Sequence, residues 1–129
     1  MKVGYYVRTN EEIGKTINCP EQLKESYGKW LWFETSVEQR PINKKEVVKS
    51  SPNIIDLIEE GDILKLLDVQ YGKEYKAEVI LDYNDNLCVI DFENNKIIDL
   101  KESLFKKDIK LLSILTKEQF ESMEYKVGD

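Results

Sequence analysis

The feature that most constrains this chain is a rhythm of short apolar stretches, each broken after a few residues by a tight-turn signal. Residues 62–70 are rich in Ile, Leu and Val and end at Tyr71-Gly72-Lys73. Residues 75–82 alternate cleanly, with Tyr75, Ala77, Val79 and Leu81 on one face, and end at Asn84-Asp85-Asn86. Residues 87–92 follow, then Asn94-Asn95, then a returning stretch 96–100. A period of two marks a half-buried strand. Asn, Asp and Gly mark turns because they tolerate the left-handed backbone region. The succession predicts a small barrel or a strongly curved sheet. Residues 108–115 add one more strand, apolar on both faces.

The N-terminal part keeps the same rhythm less regularly. Val3, Tyr5 and Val7 alternate with Gly4, Tyr6 and Arg8, and 13–18 predicts a second, shorter strand. Residues 29–35 predict a stronger one, with Leu31 and Phe33 pointing one way and Trp30 and Trp32 the other. Tyr27-Gly28 predicts the turn before it, and 46–49 a further short strand. Residues 19–26 are ambiguous, since Cys19-Pro20 breaks the chain while 21–26 fits one helical turn. Ser51-Pro52 then reads as a hydroxyl N-cap followed by proline at the first helical position. Ile54, Leu57 and Ile58 share a helical face, and Gly61 fits a left-handed helix end. A short helix over 52–60 is expected.

At the other end Thr116 and Gln119 form a capping box, and Leu115 and Phe120 a hydrophobic staple. Phe120 and Met123 are expected to dock this terminal helix, and 124–127 to add an edge strand. Gly4 and Gly61 each precede a β run, which suggests two related units in tandem. The expected fold is α+β and mostly β, with two small curved sheets or SH3-like barrels joined by a short helix, and a C-terminal helix. The segments are 1–49, a connecting helix at 50–60, and 61–129.

At 129 residues the chain fits one ordinary domain or two very small ones. With 41% hydrophobic residues it has material for a core. The opening Met1-Lys2-Val3-Gly4-Tyr5-Tyr6 runs at once into Arg8, Glu11 and Glu12, unlike a signal peptide, and no apolar run spans a bilayer. A soluble protein of the cytoplasm is expected. In that compartment Cys19 and Cys88, far apart and in no motif, are expected to be free thiols. Cys88 lies within Leu87-Cys88-Val89-Ile90 and reads as a small buried hydrophobe. The net charge is −6, divided as 9 Lys/Arg against 10 Asp/Glu in residues 1–60 and 10 against 15 in 61–129. Such a surplus disfavours general nucleic-acid binding. It serves solubility or meets a basic partner.

The residues argue against familiar catalysis. There is no histidine, which removes the commonest general base, the Ser-His and Cys-His systems and most zinc sites. No Gly-rich phosphate loop occurs. With 25 carboxylates, some pair always looks catalytic, so paired acids carry no weight. Asp82, Asn84, Asn86 and Glu93 match positions 1, 3, 5 and 12 of an EF-hand loop, but Leu87 stands where that loop needs Gly. A polar hairpin turn fits better. The expectation is a non-enzyme with no cofactor and no metal.

Two surfaces are candidates for binding. Tyr5, Tyr6, Trp30 and Trp32, with Lys44, Lys45 and Lys49 nearby in sequence, offer a stacking platform, unless one aromatic face is core. Asp82, Asp85 and Glu93 lie in turns and are expected to form one acidic rim. Lys106, Lys107 and Lys110 read as an exposed charged loop.

The stretch from Lys49-Ser50-Ser51-Pro52-Asn53-Ile54 to Glu60-Gly61-Asp62, and the stretch Asp108-Ile109-Lys110 with Ser113 to Glu121 and Glu124-Tyr125, carry a family likeness. With the opening Val3 to Thr9, they resemble small uncharacterised prophage-encoded proteins of clostridia and related low-GC Gram-positive bacteria. The resemblance implies a phage origin and an accessory role in the host bacterial cytoplasm. The function it implies is binding and inhibition of a host protein, such as a defence effector, in the manner of an anti-CRISPR or other anti-defence protein. The expected partner is basic or itself nucleic-acid-binding. Two alternatives stand beside it: a small-barrel module that binds a nucleotide or single-stranded nucleic acid, and a virion structural or assembly factor.

Overall fold

The computed structural model describes residues 2–117 and 125–127. The chain divides into two compact units, Met1–Leu57 and Ile58–Asp129. The boundary falls where a connecting helix was expected.

The first unit holds β1 (Tyr6–Arg8), β2 (Ile13–Ile17), α1 (Lys24–Tyr27), β3 (Leu31–Glu34), β4 (Gln39–Ile42) and β5 (Lys49–Ser51). The strands form one antiparallel sheet in the order β4-β3-β2-β1-β5. A 3-10 turn at Lys44–Glu46 separates β4 from β5. The register sets Tyr6 opposite Lys15, Thr16 opposite Phe33 and Trp32 opposite Pro41. Val7, Phe33 and Ile42 form the core of one face, with Leu31 and Val47 against them. Domains of about 60 residues bury only about 60% of their surface, so such a core is small. Polar bonds complete it. Thr16 Oγ1 accepts from Tyr5 N at 3.0 Å and donates to Lys2 O at 2.7 Å. The Arg8 guanidinium, fully buried, donates to Leu57 O at 3.0 Å. Glu12 is buried and held by Arg40, which also reaches Glu38 at 3.2 Å and stacks over the Phe33 ring at 5.5 Å.

The second unit holds β6 (Ile63–Asp68), β7 (Lys73–Leu81), β8 (Leu87–Asp91), β9 (Ile97–Asp99), α2 (Leu100–Phe105), β10 (Ile109–Leu115) and β11 (Tyr125–Lys126). Its sheet runs β11-β10-β6-β7-β8-β9, all antiparallel. Leu64, Leu66, Ala77, Val79, Val89, Leu100 and Ile114 are fully buried. Both cysteines are free, Cys88 in the core and Cys19 half-buried. Among the described residues no helix is long and apolar enough to cross a membrane.

The mostly β, α+β architecture matches the alternation in the sequence. In both units four strands run as a meander, a helical turn follows, and a fifth strand returns beside the first. Gly4 and Gly61 hold φ of +93° and +96°, each two residues ahead of that first strand. The halves therefore share a strand order and an entry turn. Among the described residues no ladder joins the two edges of either sheet.

Three local expectations need correction or placement, and one strand was not anticipated. Residues 52–60 are not a helix: Ser51 belongs to β5, and only Ile54–Leu57 makes a 3-10 turn. The Ser51 hydroxyl accepts from Asn53 N at 3.0 Å and donates to Asp56 at 2.6 Å, so the capping residue works locally while its backbone pairs with Tyr6. The strand expected at 46–49 begins three residues later, at Lys49. β4 gave no periodic signal, since Gln39-Arg40-Pro41-Ile42 is polar and contains proline; it is an edge strand, where proline is tolerated. The terminal capping box at Gln119, with Phe120 and Met123, lies outside the described residues, while β11 pairs with β10 as expected.

Candidate functional site

The topology decides which candidate residues meet. β8 joins two turns, residues 82–86 at its start and 92–96 at its end. Asp82 and Asp85 occupy the first and Glu93 the second, so the three carboxylates expected to form one rim stand at opposite ends of a strand. The same separation keeps Glu93 from closing a calcium loop with Asp82.

The 82–86 turn is tightly built. Asp82 Oδ1 accepts from Asn84 N at 2.8 Å and Asn86 N at 3.0 Å, and Oδ2 accepts from Asn86 Nδ2 at 3.3 Å. Asp82 N donates to Asn86 O at 3.0 Å, and Asp85 adopts the left-handed conformation at φ 61°. The bonds from Asn86 and Asn84 hold the Asp82 carboxyl below its ordinary value and outweigh the opposing effect of desolvation. At the tip stands Tyr83, 96% exposed. Residues 77–95 contain Glu78, Asp82, Asp85, Asp91 and Glu93 and no Lys or Arg. Burial first, then the charges of Asp82 and Asp99, push the Cys88 thiol up.

At the other end of β8 the β6–β7 turn, the β8–β9 turn and the α2–β10 loop enclose a groove of about 720 Å³. Val89, Ile98 and Ile109 supply apolar lining. Burial, then Asp68 and Asp91, push the Tyr75 hydroxyl up, so it stays a proton donor at neutral pH. Lys73 meets Glu93 across the rim at 3.3 Å. Four carboxylates and three lysines line this groove, so it favours neither sign of charge strongly. α2, whose Ser103 lines the groove, was missed in the sequence. Its signal was present: Asp99 Oδ1 accepts from Glu102 N at 2.9 Å, an N-cap spaced three residues from a Glu. Lys106 and Lys107 lie in the loop after it, as expected, with Lys106 bonded back to Glu102 at 2.8 Å, whereas Lys110 belongs to strand β10.

The aromatic quartet is also divided. Trp32 is 6% exposed, edge-to-face with Tyr27 at 6.1 Å, and its indole N–H has no partner among the described residues. It is core. Tyr6 lies half-buried under the Lys15 ammonium at 5.5 Å. Tyr5 is half-buried too, its backbone fixed by Thr16. Only Trp30 is open, 44% exposed at a niche with Lys29, Asn43 and Lys44. Alternation along β3 separated the faces correctly, but it could not show that α1 covers Trp32.

The unit boundary at Leu57 sharpens the charge division. Residues 1–57 carry 9 Lys/Arg against 8 Asp/Glu, and residues 58–129 carry 10 against 17. The negative surplus belongs entirely to the second unit. Comparison of the chain with models of protein families, with curated proteins and with solved structures found no match.

Proposed function

We infer that the chain is a phage-encoded accessory protein that binds a basic host protein in the bacterial cytoplasm and inhibits it without catalysis, with a defence effector as the target class. The observation that carries the binding reading is the 82–86 tip, which presents Tyr83 almost fully exposed between two carboxylates. A tyrosine in water adds nothing to its own fold. On a rigid turn it offers a large contact with little entropy to lose, the property of an interface anchor. The acidic second unit supports a basic partner, since opposite charge speeds encounter and selects the surface. The phage origin and the inhibitory role rest on the likeness at both ends of the chain and at 49–62. The shared strand order supports reading both units as SH3-like modules, a fold that serves binding as readily as any other task.

The test is affinity capture from host lysate, with and without nuclease, using the native chain and a Tyr83→Ala/Asp85→Lys variant. The expected result is one basic protein recovered by the native chain regardless of nuclease and lost with the variant. Equal recovery with both chains would move the interface away from this hairpin, and recovery that vanishes with nuclease would replace a protein partner by nucleic acid.

A further inference from the structure

The first unit carries a separate niche that the acidic hairpin does not explain. Lys29, Trp30, Asn43 and Lys44 enclose about 270 Å³ between the start of β3 and the end of β4. The two tryptophans of the chain divide sharply here: Trp32 is 6% exposed, and Trp30 is 44% exposed. The Trp30 ring therefore leaves apolar surface in water, at a cost of about 25 cal/mol per Å². The ammonium groups of Lys29 and Lys44 have no ion-pair partner among the described residues. Asn43 Oδ1 accepts from Lys45 N at 3.0 Å, which orients the amide and leaves its NH₂ as a donor.

We propose that this niche is a binding site for a nucleoside monophosphate. The base stacks on Trp30, the phosphate meets Lys29 and Lys44, and the Asn43 amide donates to a carbonyl of the base. Each group has its match in that ligand. A bare inorganic anion leaves Trp30 unused, and an uncharged aromatic ring leaves both lysines unused. The volume lies just below the range of about 300–1,000 Å³ for small-molecule sites, so the niche has room for part of one nucleotide and none for a longer strand. Charge agrees. The first unit has 9 cationic against 8 acidic side chains, while the second has 10 against 17 and repels a polyanion.

The test uses the full chain, GMP as probe and tryptophan emission as readout. GMP should quench the exposed fraction of the emission in a saturable way. Trp30→Phe should abolish the quenching while the emission of buried Trp32 stays native, which also reports that the fold is intact. Equilibrium dialysis should show GMP affinity falling roughly 5- to 150-fold in Trp30→Ala, the range of one lost stacking partner. It should also fall in Lys44→Ala. Inorganic phosphate at the same concentration should not quench. No saturable quenching by GMP up to millimolar concentration overturns the proposal. So does quenching that survives unchanged in Trp30→Phe, or GMP affinity indifferent to Lys29→Ala and Lys44→Ala together. The result is independent of the hairpin reading, which Tyr83→Ala tests and which leaves this niche untouched.

Discussion

A methyl group at position 14 would meet the Phe33 ring at 2.4 Å and Glu34 O at 2.6 Å. Both neighbours belong to β3 or its core, so neither can yield cheaply. Gly14→Ala is expected to lower the urea midpoint by the equivalent of about 1–3 kcal/mol, the usual effect of overpacking. Arg40 makes a second residue-scale prediction. Burial pulls its pKa down, but the bond to Glu12 and the charges of Glu12, Glu38 and Glu46 outweigh this and raise it. Arg40→Met leaves buried Glu12 without its partner. A broken pair that is fully buried costs about 3–5 kcal/mol. Here the Arg40 side chain is 31% exposed, and water screens part of the effect. A loss on the order of 2 kcal/mol is expected from denaturant titration. Glu12→Gln in the same background should recover much of it. Neither Gly14 nor Glu12 could be singled out in the sequence, because a glycine within a strand and one acid among 25 carry no local mark of what packs on them.

The β7–β8 hairpin was legible as an element: alternation over 75–82 and the Asn/Asp cluster fixed both strands and the turn. Its carboxylate adds a pH prediction. The folded Asp82 pKa lies below the ordinary 3.8. Its stabilising effect is therefore present above the unfolded value and is lost as pH falls through the folded one. Urea midpoints measured from neutral pH down to about 2 should fall less steeply for Asp82→Asn than for the native chain, because the variant keeps an acceptor and loses the titration. An identical acid slope would mean that the turn does not hold the carboxylate in solution. Elements whose signals were mixed fared worse. The 52–60 segment has helical spacing and a cap, yet pairing of Ser51 with Tyr6 draws its start into a sheet. β4 exists because Leu31 and Phe33 offer it a partner edge, not because of its own residues.

At the scale of the molecule the division of charge governs association. The second unit, with 17 acidic against 10 basic side chains, should draw a basic partner from solution. The association rate is expected to fall severalfold between low and physiological salt, with dissociation nearly unchanged, as surface plasmon resonance would record. Asp85→Lys should flatten that dependence. A rate indifferent to salt would make the acidity a solubility device. By itself the sequence determined the class of fold, the rhythm of strands and turns in the second unit, the doubled glycine entry and the absence of histidine chemistry. These are local properties, set by side-chain period and backbone preference. Tertiary structure alone decided that Asp82 and Glu93 stand at opposite ends of β8, that Trp32 is core while Trp30 is open, and that Arg40 gathers Glu12 and Glu38. Such facts depend on which strands pair and what covers each face, and pairing joins residues that the sequence holds far apart.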